Sequence, residues 1–136
     1  MRHSRRATRA LQALAEADPA FAALSLWCDH RDGETGDAAA RTDGRTILYG
    51  PAFEALADHE QVGLAAHHVL HVAFRHVPRM QAMALRLGAR FDEALFQIAT
   101  DALVNETLLL AGYALPRPAV RVSALLKAAL GEEAAP

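Results

Sequence analysis

The stretch that most constrains this chain is residues 61–77, which read QVGLAAHHVLHVAFRHV and hold four of the seven histidines. The stretch is apolar nearly all round at helical spacing, which predicts a central, buried helix over 59–77. His67 and His71 are four residues apart, so they share one face of that helix, about one turn apart. Burying two imidazole rings without partners is costly. We therefore expect the pair to bind a metal ion, with two hydrogen-bonded core histidines as the alternative.

The histidine pair has the spacing of the H-E-x-x-H motif, in which two histidines bind zinc and the glutamate acts as the general base. The second position differs, because His68 stands where that motif has glutamate. Neutral imidazoles suit zinc, although nickel and other ions also bind them. The sequence thus predicts the ligands of a zinc hydrolase without the usual base.

A zinc site needs a third protein ligand. We expect Asp101, because it lies in the apolar segment IATDALVN and a charged residue there should be paired or metal-bound. Asn105, one turn later, would orient Asp101 or a bound water. Glu106 is a possible substitute. His76 lies about 140° from His71 around a continuous helix, and no glycine between them would break it, so we expect it to face away.

Length and composition limit the protein to one domain spanning 1–136, because 136 residues with 52% hydrophobic content can bury one core. The net charge of −2 gives no reason to expect nucleic acid or membrane partners. Cys28 is the only cysteine, which excludes an internal disulfide and favours a buried thiol in a cytoplasmic protein. We expect a soluble α+β fold that is mostly helical, with a small two- or three-stranded antiparallel sheet.

The predicted strands cover residues 22–30 and 45–50, and we expect them to pair as a hairpin around a polar loop, 31–44. As a hypothesis, the strand edge near 24–30 binds an extended peptide. Pro51 should begin a short helix, and Asp58 should cap the histidine helix, which Pro78 should end. Predicted helices cover 4–17, 51–57, 59–77, 91–111 and 119–130, with a short helix or loop over 79–89. We expect the tail, 131–136, to be disordered.

Three segments together resemble a known family: TDGRTILYGPAF, then HHVLHVAFRH, then IATDALVNETLL. They are similar to the pattern of the bacterial Putative metallopeptidase domain, a zincin-like family with H-E-x-x-H-x-x-x-x-H followed by A-x-D-x-x-x-N. The resemblance covers about residues 8–115. It implies His67, His71 and Asp101 as zinc ligands, and Asp43, His76 and Asn105 as further motif positions. It also implies AAA+ ATPases or von Willebrand A-domain proteins as partners. His68 departs from the pattern.

The missing glutamate leaves three functions open. The first is a zinc-binding, metallopeptidase-like domain that is weakly active or inactive, a pseudoenzyme. The second is an active hydrolase acting on a peptide or protein, with His68 as the base or with another base such as Glu93. Glu60 is two helical turns from His67 and so too distant. The third is a metal-free helical interaction module. We expect the first, because imidazole is larger than a carboxylate and projects differently.

Overall fold

The computed structural model describes residues 4–116 and 119–130, and within them the fold is α+β and mostly helical, as predicted. The helices are α1 (Thr8–Ala17), α2 (Pro19–Ser25), α3 (Pro51–Glu54), α4 (Asp58–Ala73), α5 (His76–Leu87), α6 (Glu93–Leu110) and α7 (Val122–Leu130). The strands are β1 (Asp29–Asp32), β2 (Ala40–Asp43) and β3 (Thr46–Tyr49). A 3₁₀ turn covers Gly88–Arg90. The predicted tail at 131–136 lies outside the described residues.

The sheet is small and mixed, with the order β1-β3-β2. β2 and β3 form a tight antiparallel hairpin, and Gly44 supplies the positive φ of 62° that its turn needs. β1 pairs with β3 in parallel, from Asp29 beside Thr46 to Asp32 beside Tyr49. The predicted antiparallel hairpin between the first and last strands is therefore wrong. The segment predicted to be a loop contains β2, which is the antiparallel partner of β3.

The predicted strand over 22–30 is also wrong in its first half, which belongs to α2. Pro19 occupies the first turn of α2, and the Asp18 carboxylate accepts a hydrogen bond from the Ala20 N–H at 3.0 Å. This combination of cap and proline begins a helix. Phe21 and Cys28 are buried and seven residues apart, a spacing that fits a helix followed by a turn, whereas Leu26, which a strand would place on the same face as Cys28, is 78% exposed. Burial raises the pKa of the Cys28 thiol to about 11, so this cysteine is an inert core residue as predicted.

The histidine helix α4 lies at the centre of the fold and packs against α1, α2, α5, α6 and the sheet. Ala65, Ala66 and Val69 on this helix are fully buried. Gly63 lies so close to the turn after α6 that an added Cβ would be 1.6 Å from the Ala114 carbonyl oxygen. A residue without a side chain is therefore required where α4 meets this turn.

The end of α4 differs from the prediction. The helix ends at Ala73, and Arg75 adopts a left-handed conformation with φ 59° and ψ 42°. Arg75 is the one non-glycine residue with a positive φ among the described residues. The chain then turns into α5, and Pro78 lies in the first turn of that helix, where a proline is tolerated. At the other end of α4, the N-cap is Ala57, and Asp58, the predicted cap, is the first helical residue.

The second long helix, α6, was predicted correctly over most of its length. Asp92 caps its start by accepting a hydrogen bond from the Leu95 N–H at 3.0 Å, and Gly112 follows its end with a φ of 90°. The last helix begins three residues later than predicted, at Val122. Among the helices described, none is long and apolar enough to cross a membrane.

Candidate metal centre

Three side chains from α4 and α6 converge on one point at the centre of the fold. His67 Nε2 and His71 Nε2 are 3.0 Å apart, and Asp101 Oδ1 lies 3.3 Å from the first and 2.8 Å from the second. Both histidines are buried, whereas the Asp101 side chain is 44% exposed. The three residues predicted as metal ligands are thus brought together, and they form the metal-compatible cluster found among the described residues.

The orientation of His67 is set by hydrogen bonds that run through Asn105 on α6 to the segment before α7. The Asn105 amide Nδ2 donates to the Val120 carbonyl at 2.9 Å, which leaves Asn105 Oδ1 facing His67 Nδ1 at 2.7 Å. Nδ1 of His67 must therefore carry the proton and donate it to Asn105. Nε2 then presents its lone pair to the cluster. Asn105 was expected to orient Asp101 or a water, but it orients His67.

His71 lies between Asp101 and His76. Its Nε2 donates to Asp101 Oδ1 at 2.8 Å, and its Nδ1 is 2.8 Å from His76 Nδ1. The prediction that His76 faces away from the cluster is wrong. The turn at Arg75 ends α4 and folds His76 back, so the angle calculated for a continuous helix does not apply. The turn does not need glycine, because arginine adopts the left-handed conformation here.

The donor atoms fit a small divalent ion. With metal–nitrogen bonds of about 2.0–2.1 Å, two ligand atoms of a tetrahedral zinc site lie roughly 3.3 Å apart. The observed separations are 2.8, 3.0 and 3.3 Å. A hydrogen bond at the second ring nitrogen also orients each histidine, as in metal sites generally. A site with three protein ligands leaves a fourth position for water or another ligand.

The remaining predicted positions lie outside the cluster. The Glu106 carboxylate pairs with Arg121 and accepts a hydrogen bond from the Ser123 N–H, so it holds α7 against α6 and is not a substitute ligand. Asp43 lies at the exposed end of the β2–β3 hairpin. Glu60 and Glu93 lie in the first turns of α4 and α6, and neither lines the cavities beside the cluster.

His68 lies beside the cluster under the sheet. Its Nδ1 is 2.6 Å from the Thr42 hydroxyl of β2, and the residue is 8% exposed. Burial lowers the pKa of His68 well below its usual 6.5, and His67 and His71 lower it further. His68 is therefore neutral and weakly basic at pH 7. The role of Thr42 was not predicted, because it depends on which strand forms the sheet edge.

Two cavities meet at the cluster. The first, of about 430 Å³, is called the His71 cavity because His71 and His76 line it, together with His68. The second, of about 640 Å³, is called the His67 cavity and is lined by His67 and Asn105. Ala38, Ala40 and Asp101 line both. Asp37, which lines the His67 cavity, is a carboxylate that the sequence motifs did not single out.

Comparison with known families agrees with this geometry. The sequence profile described as the Putative metallopeptidase domain matches residues 2–135, which is nearly the whole chain. The chain belongs to the Putative metallopeptidase domain family. No curated protein and no solved structure shows significant similarity to it. Membership of the Putative metallopeptidase domain family and the cluster of His67, His71 and Asp101 together support a metal site. His68 occupies the position of the glutamate in H-E-x-x-H.

The buried histidines should make the stability of this Putative metallopeptidase domain depend on pH. Burial lowers the pKa of His30, His68 and His71, and it lowers that of His76 to about 4. Unfolding restores a pKa near 6.5, so the unfolded chain binds more protons below that pH. Burial by itself would raise the pKa of Asp101, but the neighbouring His67 and His71, the latter through a hydrogen bond, hold it below its usual range, so Asp101 stays ionised between pH 6.5 and 4.

We therefore expect the free energy of unfolding to fall as the pH decreases from 6.5 to 4, by about 1.4 kcal/mol per pH unit for each additional proton bound on unfolding. Urea denaturation of the chelator-treated protein at pH 7.5, 6.5, 5.5 and 5.0 measures this. His59→Ala, which replaces an exposed histidine in the first turn of α4, is the control for the loss of a histidine. A flat profile down to pH 5 would contradict the prediction.

Proposed function

We propose that this protein is a metallopeptidase-like, zinc-binding domain with weak or no peptidase activity. The observation that carries the proposal is the convergence of His67 Nε2, His71 Nε2 and Asp101 Oδ1 within 3.3 Å of one another. Two imidazoles and one carboxylate are a ligand set that zinc accepts. A zinc ion bound there supplies Lewis-acid chemistry for hydrolysis.

The case against efficient hydrolysis rests on His68. A general base works best with a pKa near the operating pH, because it must be unprotonated and still basic. His68 is neutral at pH 7, but the burial that lowers its pKa also weakens it as a proton acceptor. Its Nδ1 also faces Thr42. A bound cation would lower the pKa further, since it repels an imidazolium.

Metal titration of the chelator-treated protein tests the proposal. We expect one equivalent of Zn²⁺ to bind, and a concentration 100-fold above Kd to stabilise the fold by about 2.7 kcal/mol. That corresponds to a rise in Tm of roughly 10 °C for a domain of this size. Absence of both stoichiometric zinc and stabilisation would favour the third function, a metal-free interaction module.

Replacing His68 with glutamate should create or raise peptidase activity. The carboxylate would lie beside the cluster, where the Thr42 hydroxyl can donate a hydrogen bond to it. Because general-base catalysis contributes about 10²–10⁴-fold, we expect His68→Glu to raise kcat/KM on an unstructured protein substrate at least 10²-fold. His68→Gln is the matched control, since it lacks a basic oxygen, and should remain at the wild-type level.

The opposite outcome would support an active hydrolase. If the wild-type protein cleaves peptides and His68→Ala abolishes cleavage, His68 is the base and the pseudoenzyme proposal fails. If Asp37→Asn abolishes cleavage and His68→Ala does not, the carboxylate lining the His67 cavity is the base. Either result leaves the proposed zinc ligands intact, so metal binding and catalysis are tested separately.

An extended peptide is the ligand that the edge of β2 favours. The Gly50 N–H donates to the Ala39 carbonyl at 2.8 Å, so the alternation of an antiparallel ladder points the main-chain groups of Ala40 and Thr42 away from β3. Both residues line the His71 cavity. An extended peptide can pair with such an edge by strand addition.

The earlier hypothesis of an edge at 24–30 fails, because most of that stretch is helix and turn. AAA+ ATPase or von Willebrand A-domain partners stay a prediction from the resemblance.

A further inference from the structure

We propose that His76 is a positioning residue for the metal ligand His71, and that metal binding exchanges the ring tautomers of this pair. The inference rests on the proposed zinc site and adds a residue to it. It starts from the 2.8 Å contact between His71 Nδ1 and His76 Nδ1, both buried. One of the two nitrogens must carry a proton and the other must accept it.

Without metal, the hydrogen bonds determine which nitrogen donates. His71 Nε2 lies 2.8 Å from the Asp101 carboxylate, which only accepts, so His71 Nε2 carries its proton. A neutral His71 then has an unprotonated Nδ1. His76 Nδ1 must therefore be the donor in this pair.

With metal, the direction of the hydrogen bond between the two rings must reverse. A ligand nitrogen offers its lone pair, so His71 Nε2 gives up its proton to solvent when it binds zinc. His71 takes up the proton of His76 at Nδ1, and His76 takes a proton from water at Nε2. Both rings remain neutral, and only the tautomers change. Since His76 lines the His71 cavity, water there can supply this proton.

The backbone supports this role for His76. Arg75 adopts the left-handed conformation, which is unfavourable for a residue with a Cβ and persists where the surrounding structure enforces it. Without that turn, a continuous helix would carry His76 away from His71. Arg75, the strained residue, thus directly precedes His76 and brings it into contact with His71.

Long-range ¹H–¹⁵N correlation spectra of the ¹⁵N-labelled full-length protein at pH 7.5 distinguish the tautomers. Chelator-treated protein should show Nε2–H for His71 and Nδ1–H for His76, and one equivalent of Zn²⁺ should exchange these assignments. His67 is the internal control, because Asn105 keeps its proton on Nδ1 in both states. Zinc binding with unchanged tautomers of His71 and His76 would overturn the inference, whereas absence of zinc binding would overturn the proposed site itself.

Variants test whether the contact matters for affinity. Loss of a residue that orients a metal ligand costs about 10–100-fold in affinity, so His76→Phe, which keeps a ring but no nitrogen, should raise the zinc Kd by that factor. His76→Asn places an amide oxygen near the former Nδ1 and should restore the Kd to within about 3-fold of wild type. Equal Kd values for wild type and His76→Phe would contradict the role.

Substitutions at Arg75 test the turn while His76 is kept. Arg75→Gly removes the Cβ penalty and should leave the zinc Kd unchanged while raising Tm by roughly 4 °C. Arg75→Ile should weaken zinc binding about 10-fold or more, because a β-branched residue opposes the left-handed conformation that brings His76 to His71. An unchanged Kd in Arg75→Ile would show that the turn does not serve the contact.

Discussion

Replacing His71 with alanine is expected to weaken zinc binding at least about 10²-fold, because binding energies of about 10 kcal/mol or more are shared among few ligands, roughly 3 kcal/mol each. His67→Ala and Asp101→Ala should have effects of similar size, since each removes one of the three converging donor atoms. Isothermal titration of the chelator-treated protein with Zn²⁺ measures the change in Kd.

His59→Ala is the matched control for these substitutions. His59 lies on the same helix, in its first turn, but it is exposed and distant from the cluster. It should leave the Kd unchanged. If His71→Ala and His59→Ala behave alike, zinc binds elsewhere on the chain and the assigned ligand set is wrong.

Replacing Gly63 with alanine is expected to destabilise the fold by about 3 kcal/mol or more, a fall in Tm of roughly 10 °C. The new Cβ would lie 1.6 Å from the Ala114 carbonyl oxygen, which is backbone and cannot move without shifting the turn after α6. The sign of the change in the free energy of unfolding distinguishes a clash from helix propensity, because alanine in place of glycine in a helix interior otherwise stabilises by about 1 kcal/mol. Thermal denaturation with chelator present measures the effect without metal.

Gly36→Ala is a control for the loss of a glycine without a clash. A Cβ at Gly36 would meet no atom within 4 Å, so only its positive φ of 65° opposes the substitution. We expect a cost of about 1–2 kcal/mol there. If Gly63→Ala proves neutral or stabilising, α4 can move away from the turn and the packing described above is less rigid than the distance implies.

Much of the metal cluster could be predicted from the sequence because its main determinants are local. Helical spacing places His67 and His71 on one face, and a lone carboxylate in an apolar helix points to Asp101 as their partner. The environment of His76 could not be predicted in this way. It depends on the left-handed conformation of Arg75, which the residue type does not indicate and which accompanies the packing of α5 against α4 and α6.

The errors in the sheet have a similar origin. Leu24, Leu26 and Cys28 alternate as in a strand, whereas Phe21, Leu24 and Cys28 have the spacing of a helix, so periodicity alone does not distinguish the end of α2 from a strand. The pairing of β1 with β3 is parallel and skips β2, which short-range turn signals do not indicate. The β2–β3 hairpin does have such a signal at Asp43-Gly44, which lies at the end of the loop predicted over 31–44.

The hydrogen bond from the Asn105 amide to the Val120 carbonyl has a consequence for the dynamics of the domain. Through Asn105, the segment that leads into α7 is connected to His67, and so to the same point as His71 and Asp101. Local unfolding of this segment breaks the hydrogen bond that holds Asn105 in place against the metal ligand His67. In the metal-loaded protein, amide hydrogens near Val120 should therefore exchange with solvent together with those of α4, as one cooperative unit, and chelation should uncouple them.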